Sequence, residues 1–404
     1  MRRVLFVQDD PGSREHLQAN LRLLRDQMDI HVASSEQTAR QQQWDSWEAI
    51  IADLDHNASR QVITRAKEEF PEVVRIGLTR KLSPRMWELR LVHQFVRTPW
   101  NPDELQVAVE RACRLKDLLG DELICRTVGE LGELPSIPSV YQQLTARLRD
   151  PDVSLHEIAG IIEKDAALSA KLLQLVNSTL FRTASEIATV KTAASYLGLE
   201  VIKNLVLSVE LFRAFDGAGK LPGFSLEELQ AHYQLTMAIT RFLPLPRDLF
   251  DSALVAALLH DIGILLLAWK TPGRFAKFVE CSRRQQRPLH LVEEELWGIT
   301  HAEIGAYLLG LWGFPDVITE AVAYHHTPAR VPHCAFDVTA AVYVADLLAH
   351  ECEAATAPSR ALACSPVDLD FLRQLGVDGH YEGWKALALQ QAAARAPAAC
   401  SRPA

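Results

Sequence analysis

The sequence predicts a multi-domain protein: an N-terminal α/β doubly wound domain followed by an all-α domain. Three observations predict it. Residues 1–119 alternate short apolar runs with helix-period stretches, the pattern of buried parallel strands and their crossover helices. Beyond Gly120 no strand-like alternation follows, and helix start and stop signals recur instead. The charge is also divided. Lys+Arg total 42 and Asp+Glu 51, for a net −9, yet residues 1–119 carry 18 of each, so the whole excess lies in 120–404. At roughly 150 residues per domain, the chain length allows about two or three domains.

The bulk composition excludes several classes. Hydrophobic residues make up 48% and charged residues 23%, enough apolar material for cores and unlike a disordered chain. A net −9 with no basic stretch disfavours nucleic acid as a partner. The seven cysteines are odd in number and form no C-x-x-C pair. That argues against a disulfide framework or a thiolate zinc site and fits a reducing cytosol. The N-terminal apolar run is too short for a signal sequence. The most apolar stretch, Ala253 to Trp269, holds His260 and Asp261 at its middle, a pair that a bilayer span would not tolerate. The expected location is therefore cytoplasmic, with no membrane segment.

In the first module VLFV (4–7) is a short apolar run, followed by a helical stripe of Leu17, Leu21 and Leu24. AIIADLD (49–55) contains Asp53, VVRIGLT (73–79) ends at Thr79, and HQFVRTP (93–99) is a weaker fourth run. In open parallel sheets the chemistry gathers beyond the carboxyl ends of the strands, which places Asp9, Asp10, Asp53 and Thr79 together. This arrangement resembles the receiver domain of bacterial response regulators, a flavodoxin-like fold, over residues 1–119. The resemblance implies Mg²⁺ at an acidic pair, Asp53 as phosphoacceptor, Thr79 as the phosphoryl-binding hydroxyl and Phe95 as the aromatic switch position. Two positions depart from the pattern. The acidic pair falls on Gln8 and Asp9, removing one carboxylate from a hard-cation site. Thr98, with Arg97 beside it, stands where the family has the lysine that offsets phosphoryl charge. Phosphorylation at Asp53, a degenerate receiver used for docking or homodimerisation, and a plain loop-capping aspartate all stay open.

Residues 103–119 read as a helix with Leu105, Val109, Ala112 and Leu115 on one face and Gly120 as its stop. The second module spans 120–350. Its helix starts include the capping-box sequences Ser154–Glu157, Ser225–Glu228 and Thr300–Glu303, and Gly313 with Pro315 marks a stop. Ten or more helices are expected, in an N-terminal subdomain (124–216) and a second one (225–350). Apolar stripes such as Leu168, Leu172, Leu175 and Val176 read as helix packing rather than ligand binding. The remainder, 351–404, is expected to be a partly disordered extension holding a loop and a terminal helix.

Five helices of this module carry imidazoles and carboxylates: His232, His260–Asp261, His301, His325–His326 and Asp346. Such groups on separate helices can converge in a bundle core and bind metal. A lone helical His is usually a satisfied core or surface residue. Asp261 is harder to set aside, because it interrupts an apolar run and a buried carboxylate needs a partner or a metal.

The order resembles the H…HD…D pattern of the HD superfamily of metal-dependent phosphohydrolases, and more closely its HDOD subgroup. The segments LPSIPSV, DAALSAKLLQLVNS, ALLHDIGILLL, THAEIGAYLLGLWGFPDVITEAVAYHHTP and VADLLAH carry the likeness over roughly 124–350. The resemblance implies His232, His260, Asp261 and Asp346 as ligands of one divalent metal, with His301 and His325 or His326 extending the site to a second. Cyclic-di-GMP phosphodiesterases of the HD-GYP type carry HDIGK and a GYP tripeptide. Here Ile264 replaces that lysine, and Thr327–Pro328 follows the histidine pair. The implied function is a signalling protein. Its receiver answers to an upstream sensor kinase, and its HDOD module acts on a downstream protein partner. The alternative is a metal-dependent phosphohydrolase acting on a small phosphorylated ligand or cyclic dinucleotide.

Overall fold

The computed structural model describes residues 2–7, 28–33, 47–70, 73–80, 91–131, 138–148, 150, 153–177, 187–215, 225–356 and 362–393. Gln8, Asp9, Asp10, the stripe around Leu17 and the final residues 394–404 lie outside the described residues. The chain forms two units, the first made of Met1–Asp121 with the short segments Phe314–Val317 and Ala329–Ala335, the second of the rest from Glu122 onward.

The first unit is built on β1 (Arg2–Val7), β2 (Met28–Ala33), β3 (Ala49–Asp53), α1 (Asn57–Glu69), β4 (Val74–Thr79), β5 (Gln94–Arg97) and α2 (Pro102–Leu119). The five strands are all parallel, in the order β2-β1-β3-β4-β5. That 2-1-3-4-5 order is the flavodoxin-like variant of the doubly wound fold. Successive side chains of a strand point to opposite faces, and the core divides accordingly. Val4, Phe6, Ile51 and Ile76 share one layer with Leu105 and Val109 of α2. Leu5, Val7, Ile50 and Ala52 share the other with Val62 and Ile63 of α1. The strand β2 is an addition to the sequence reading. Only Met28, Ile30 and Ala33 of it are buried, so this edge strand has no continuous apolar run. Asn101 caps α2 by accepting the Glu104 N–H at 2.8 Å, and Pro102 occupies its first turn.

The second unit is helical. Its first part contains α3 (Glu122–Glu130), α4 (Ser139–Leu148), α5 (Leu155–Ile162), α6 (Ala166–Val176), α7 (Val190–Leu197) and α8 (Leu199–Phe215). The stripe Leu168, Leu172 and Val176 of α6 is fully buried, as helix packing requires. The side chains of Ser154, Asp165 and Thr189 cap α5, α6 and α7. The second part contains α9 (Leu226–Thr240), α10 (Phe250–Leu259), α11 (Ile262–Lys270), α12 (Pro272–Gln285), α13 (Leu289–Trp297), α14 (His301–Leu311), α15 (Asp316–Tyr324), α16 (Val338–Thr356), α17 (Leu369–Gln374) and α18 (Tyr381–Ala393). Of the three expected capping boxes, the reciprocal form is present at Thr300–Glu303. Ser154 and Ser225 accept one backbone N–H each.

Two features correct the sequence reading. The stretch ALLHDIGILLL is two helices, because the chain breaks at His260–Asp261 between α10 and α11. And α16 runs through residue 350 to Thr356, so the expected module end cuts a helix. The segment beyond joins the same core: Phe371, Leu372, Tyr381 and Trp384 pack with Leu235 and Ile239 of α9 and with Val344 and Leu348 of α16. Among the described residues, the stretch Phe250–Lys270 has the length and hydropathy of a membrane span. Most of it is buried within the protein.

Candidate metal centre

The break between α10 and α11 turns His260 and Asp261 into the interior of the helical unit, where both are buried. Gly263 makes this possible. A Cβ at that position would lie 1.9 Å from the His301 carbonyl oxygen, so only glycine lets α11 approach the start of α14 this closely. His301 is the first residue of α14, held there by the Thr300 capping box. His325 and His326 directly follow α15, His232 lies midway along α9, and Asp346 lies midway along α16. All seven sequence-predicted residues are thereby brought together.

The outer nitrogens of four imidazoles are anchored. His260 Nδ1 donates to the Ala257 carbonyl at 2.8 Å, and His325 Nδ1 to the Val322 carbonyl at 2.7 Å. His301 Nδ1 lies 2.6 Å from Glu293 Oε2, and His232 Nδ1 2.9 Å from Glu353 Oε1. A carbonyl or ionised carboxylate only accepts, so each Nδ1 holds its proton and each Nε2 is turned inward. The Nε2 atoms converge on two carboxylates. Asp346 Oδ1 is 3.0 Å from His232 Nε2 and 3.5 Å from His260 Nε2, and Asp261 Oδ2 is 3.3 Å from His260 Nε2. Asp261 Oδ1 is 3.1 Å from His301 Nε2 and 3.5 Å from His325 Nε2. Two nitrogen pairs face each other directly: His232 with His260 at 3.2 Å, and His301 with His326 at 2.9 Å.

This donor set fits a divalent transition metal. Bonds of 2.0–2.2 Å place neighbouring ligand atoms about 2.9–3.6 Å apart in tetrahedral or octahedral geometry, close to most of the spacings above. Asp261 Oδ1 and His325 Nε2 are buried with no hydrogen-bond partner, a costly state that a cation between them would remove. Imidazole nitrogen with carboxylate oxygen suits zinc, iron, manganese or nickel rather than calcium. His260, Asp261 and His232 form one group, and Asp261, His301, His325 and His326 another, so the Asp261 carboxylate is common to both.

Electrostatics couple the ring. Burial would raise the Asp261 pKa, but His260 outweighs it, with His301 and His325 adding to the effect, and holds the carboxyl well below its usual range. Asp346 is likewise held down against burial by His350, His232 and His260. Burial opposes charge on His260 and His301, yet Asp261 raises the first to about 9, and Glu293 with Asp261 raises the second to about 10. Burial pushes His326 well below the ordinary histidine range, and His325, His290 and His301 add to it.

Four contributors were not anticipated. Glu293 is fully buried on α13 and accepts both the ring and the backbone N–H of His301. His290, also on α13, stacks on His326 with centroids 4.1 Å apart and planes 15° apart. His350 and Glu353 extend the site along α16. The sequence signal for the last two was their spacing of four and seven from Asp346, one helix face. A cavity of about 250 Å³ opens on the ring, walled by Leu229, Phe275, Leu289 and Leu347, with Ser225, Arg283 and Ser365 also lining it.

At the carboxyl edge of the sheet, Asp53 and Thr79 end the neighbouring strands β3 and β4. Asp53 ends β3, half-buried. It accepts the Asp55 N–H at 2.9 Å and lies 3.8 Å from the His56 ring. Burial raises its pKa, against the pull of the Asp55 N–H and His56. The Thr79 hydroxyl donates to Asp55 at 2.9 Å, not to Asp53, and Arg80 N–H donates to the other Asp55 oxygen at 3.0 Å. Phe95 is buried in the α1-side core, and the Thr98 hydroxyl is buried.

Residues 134–328 match the family model of the HDOD domain, so the chain contains an HDOD domain over that range. An uncharacterized protein of Treponema pallidum (strain Nichols) is 27% identical over 217 residues. That match covers 52% of this chain and 41% of the relative, so the chain spans about two-fifths of the relative's length. Among solved structures, an HDOD domain protein of unknown function from Geobacter sulfurreducens is 25% identical with a TM-score of 0.50. It covers 67% of this chain and 92% of its own. A Shewanella amazonensis SB2B protein, provisionally named a phosphohydrolase, is 21% identical with a TM-score of 0.51, covering 68% and 97%. A Marinobacter aquaeolei VT8 protein, provisionally named a signal transduction protein, is 20% identical with a TM-score of 0.50, covering 84% of each chain. The last two likenesses concern the fold.

Proposed function

We propose that this chain is a signal-transduction protein in which a receiver-like α/β domain controls a metal-binding HDOD domain, and that the latter acts as an output module through protein contacts. The observation that supports it most is the ring of inward-facing Nε2 atoms around Asp261 and Asp346, in a chain whose N-terminal sheet has the 2-1-3-4-5 order. The HDOD match and the signalling name of the Marinobacter relative point the same way. In this reading a sensor kinase or signalling protein acts upstream, a protein partner downstream, and the receiver supports homodimerisation. Asp53 is the phosphoacceptor position, with Asp53 and Asp55 offering oxygens to Mg²⁺.

His232, His260, Asp261 and Asp346 would hold one divalent ion, and Asp261, His301, His325 and His326 a second. A bound ion there supplies a lowered pKa for water and polarisation of a phosphoryl oxygen. The protein's own contribution is orientation: Glu293 and Glu353 fix the His301 and His232 rings, and Gly263 sets the distance between α11 and α14.

A second reading, metal-dependent phosphohydrolysis, is favoured by the cavity that opens on the same donors and by the Shewanella relative's name. Ile264 in the cavity wall, where HD-GYP phosphodiesterases carry lysine, weighs against turnover of cyclic dinucleotides. Metal analysis of the purified protein, with a screen of cyclic dinucleotides and a generic phosphodiester, separates the readings. The expected result is one to two bound ions per chain and no sustained hydrolysis. Sustained hydrolysis that disappears in His260→Ala and Asp261→Ala would establish the second reading.

A further inference from the structure

Asp346, His350 and Glu353 lie on one face of α16, at spacings of four and seven residues. His350 Nε2 is 3.3 Å from Asp346 Oδ1, the oxygen that also faces His232 Nε2 and His260 Nε2. The His350 ring lies over that of His232, with centroids 4.5 Å apart and planes 33° apart. Behind both rings sits one carboxylate. Glu353 Oε1 is 2.9 Å from His232 Nδ1, and Glu353 Oε2 is 3.4 Å from His350 Nδ1. Two imidazoles thus share an outer carboxylate and an inner carboxylate oxygen. His350 faces Asp346 as His232 does, but where the His232 outer nitrogen is hydrogen-bonded to Glu353, that of His350 lies 3.4 Å from the same carboxylate without a hydrogen bond.

The H…HD…D pattern contains neither residue. We infer that His350 is an additional protein ligand of the ion on the Asp346 side, and that Glu353 is the positioning carboxylate for His350 and His232 together. The inference rests on the metal-centre reading above and sharpens it. The Asp346 side then offers two overlapping sets that share His232: His232, Asp346 and His350, and His232, His260 and Asp261. The other side offers four, from Asp261 Oδ1, His301, His325 and His326. The two loci are therefore unequal. The tighter ion is assigned to the side with the two overlapping sets.

A competing role for His350 is charge alone, as a cation beside Asp346. Lysine at position 350 separates the two, because a protonated amine keeps the charge and has no lone pair to give. The full-length protein, stripped of metal with chelator, is titrated with Co²⁺ and, separately, Mn²⁺, following heat and the visible Co²⁺ bands. Wild type takes up two ions of different affinity. His350→Ala and His350→Lys both weaken the tighter ion by about tenfold or more and change its Co²⁺ spectrum, while the weaker ion stays within about twofold. Glu353→Gln gives a smaller loss at the same ion. The helical circular dichroism and melting temperature of each metal-free variant, read in parallel, verify that the fold is kept. If His350→Gln is used where alanine unfolds the chain, the same loss is expected. Wild-type affinity in His350→Ala or His350→Lys overturns the ligand assignment alone. A wild-type protein that binds neither metal overturns it together with the metal-centre reading.

Discussion

Metal binding at this centre must release protons, and the structure sets a lower bound on how many. In the metal-free ring His260 titrates at about 9 and His301 at about 10, so both are cationic at pH 7. Their Nδ1 protons are committed to the Ala257 carbonyl and to Glu293. The proton each must lose is therefore the one on Nε2, the atom that would face the ion. At 1.36 kcal/mol per pH unit, removing them at pH 7 costs about 3 and about 4 kcal/mol. Loading both loci at pH 7 should release about two protons, and more if His232, also raised against burial by Glu353 and Asp346, gives one up. Affinity should rise with pH and level off once pH passes the higher of these values. Calorimetric titration with Mn²⁺ in buffers of different ionisation enthalpy counts the protons directly. Release of fewer than one proton, or an affinity indifferent to pH between 7 and 9, would refute the assignment of Nε2 as the ligating atom.

Further consequences concern the groups around the ring. Gly263→Ala places a methyl group against the His301 carbonyl and should lower stability by about 1–3 kcal/mol, with metal affinity falling as Asp261 and His301 are driven apart; melting curves and metal titration read both effects. Glu293→Gln keeps a hydrogen-bond acceptor for His301 but removes the charge, and should weaken metal binding about 10- to 100-fold with little change in secondary structure. The metal-free protein should be most stable near pH 6.5. Above that, the raised pKa values of His260 and His301 mean stability is lost progressively towards pH 9–10. Below it, His290, pushed down to about 3 mainly by burial, must resist protonation, so stability falls as pH drops towards 3. A melting temperature that climbs steadily from pH 6 to 9 without metal would contradict this.

Much of the architecture is legible in the sequence, for identifiable reasons. The strands β1, β3 and β4 are buried on both faces over Val4–Val7, Ala49–Ala52 and Val74–Thr79 and so read as apolar runs, while β5, with Phe95 and Val96 buried between Gln94 and Arg97, reads as a weaker one. The edge strand β2 is not, because His31 and Asp29 alternate with its buried residues. The break at His260–Asp261 is hidden in an apolar run that looks like one helix. Metal-type donors could be listed from residue order, but the groups that orient them could not. Glu293 and His290 sit on the short helix α13, and nothing local links them to His301 or His326 until the chain is folded. His350 and Glu353 lie where the module was expected to end. The bond from the Thr79 hydroxyl to Asp55 depends on how the loop after β3 turns, which sequence periodicity does not encode.

The chemistry of the ring argues for a cation over an ion-pair staple. A network of three buried carboxylates, a partly buried fourth and several imidazoles is a poor source of stability, since apolar residues of similar volume would do as well or better. A staple would give each carboxylate oxygen an N–H donor of its own. Here Asp261 Oδ1 lacks a hydrogen bond although two imidazole nitrogens lie within 3.5 Å, and two pairs of Nε2 atoms face each other at 2.9 and 3.2 Å. Two facing lone pairs repel, and two facing N–H groups clash. Only a shared proton or a metal ion holds such a pair together. With every anchored Nδ1 already occupied, the protons that fill these gaps in the metal-free protein stand where divalent ions would bind.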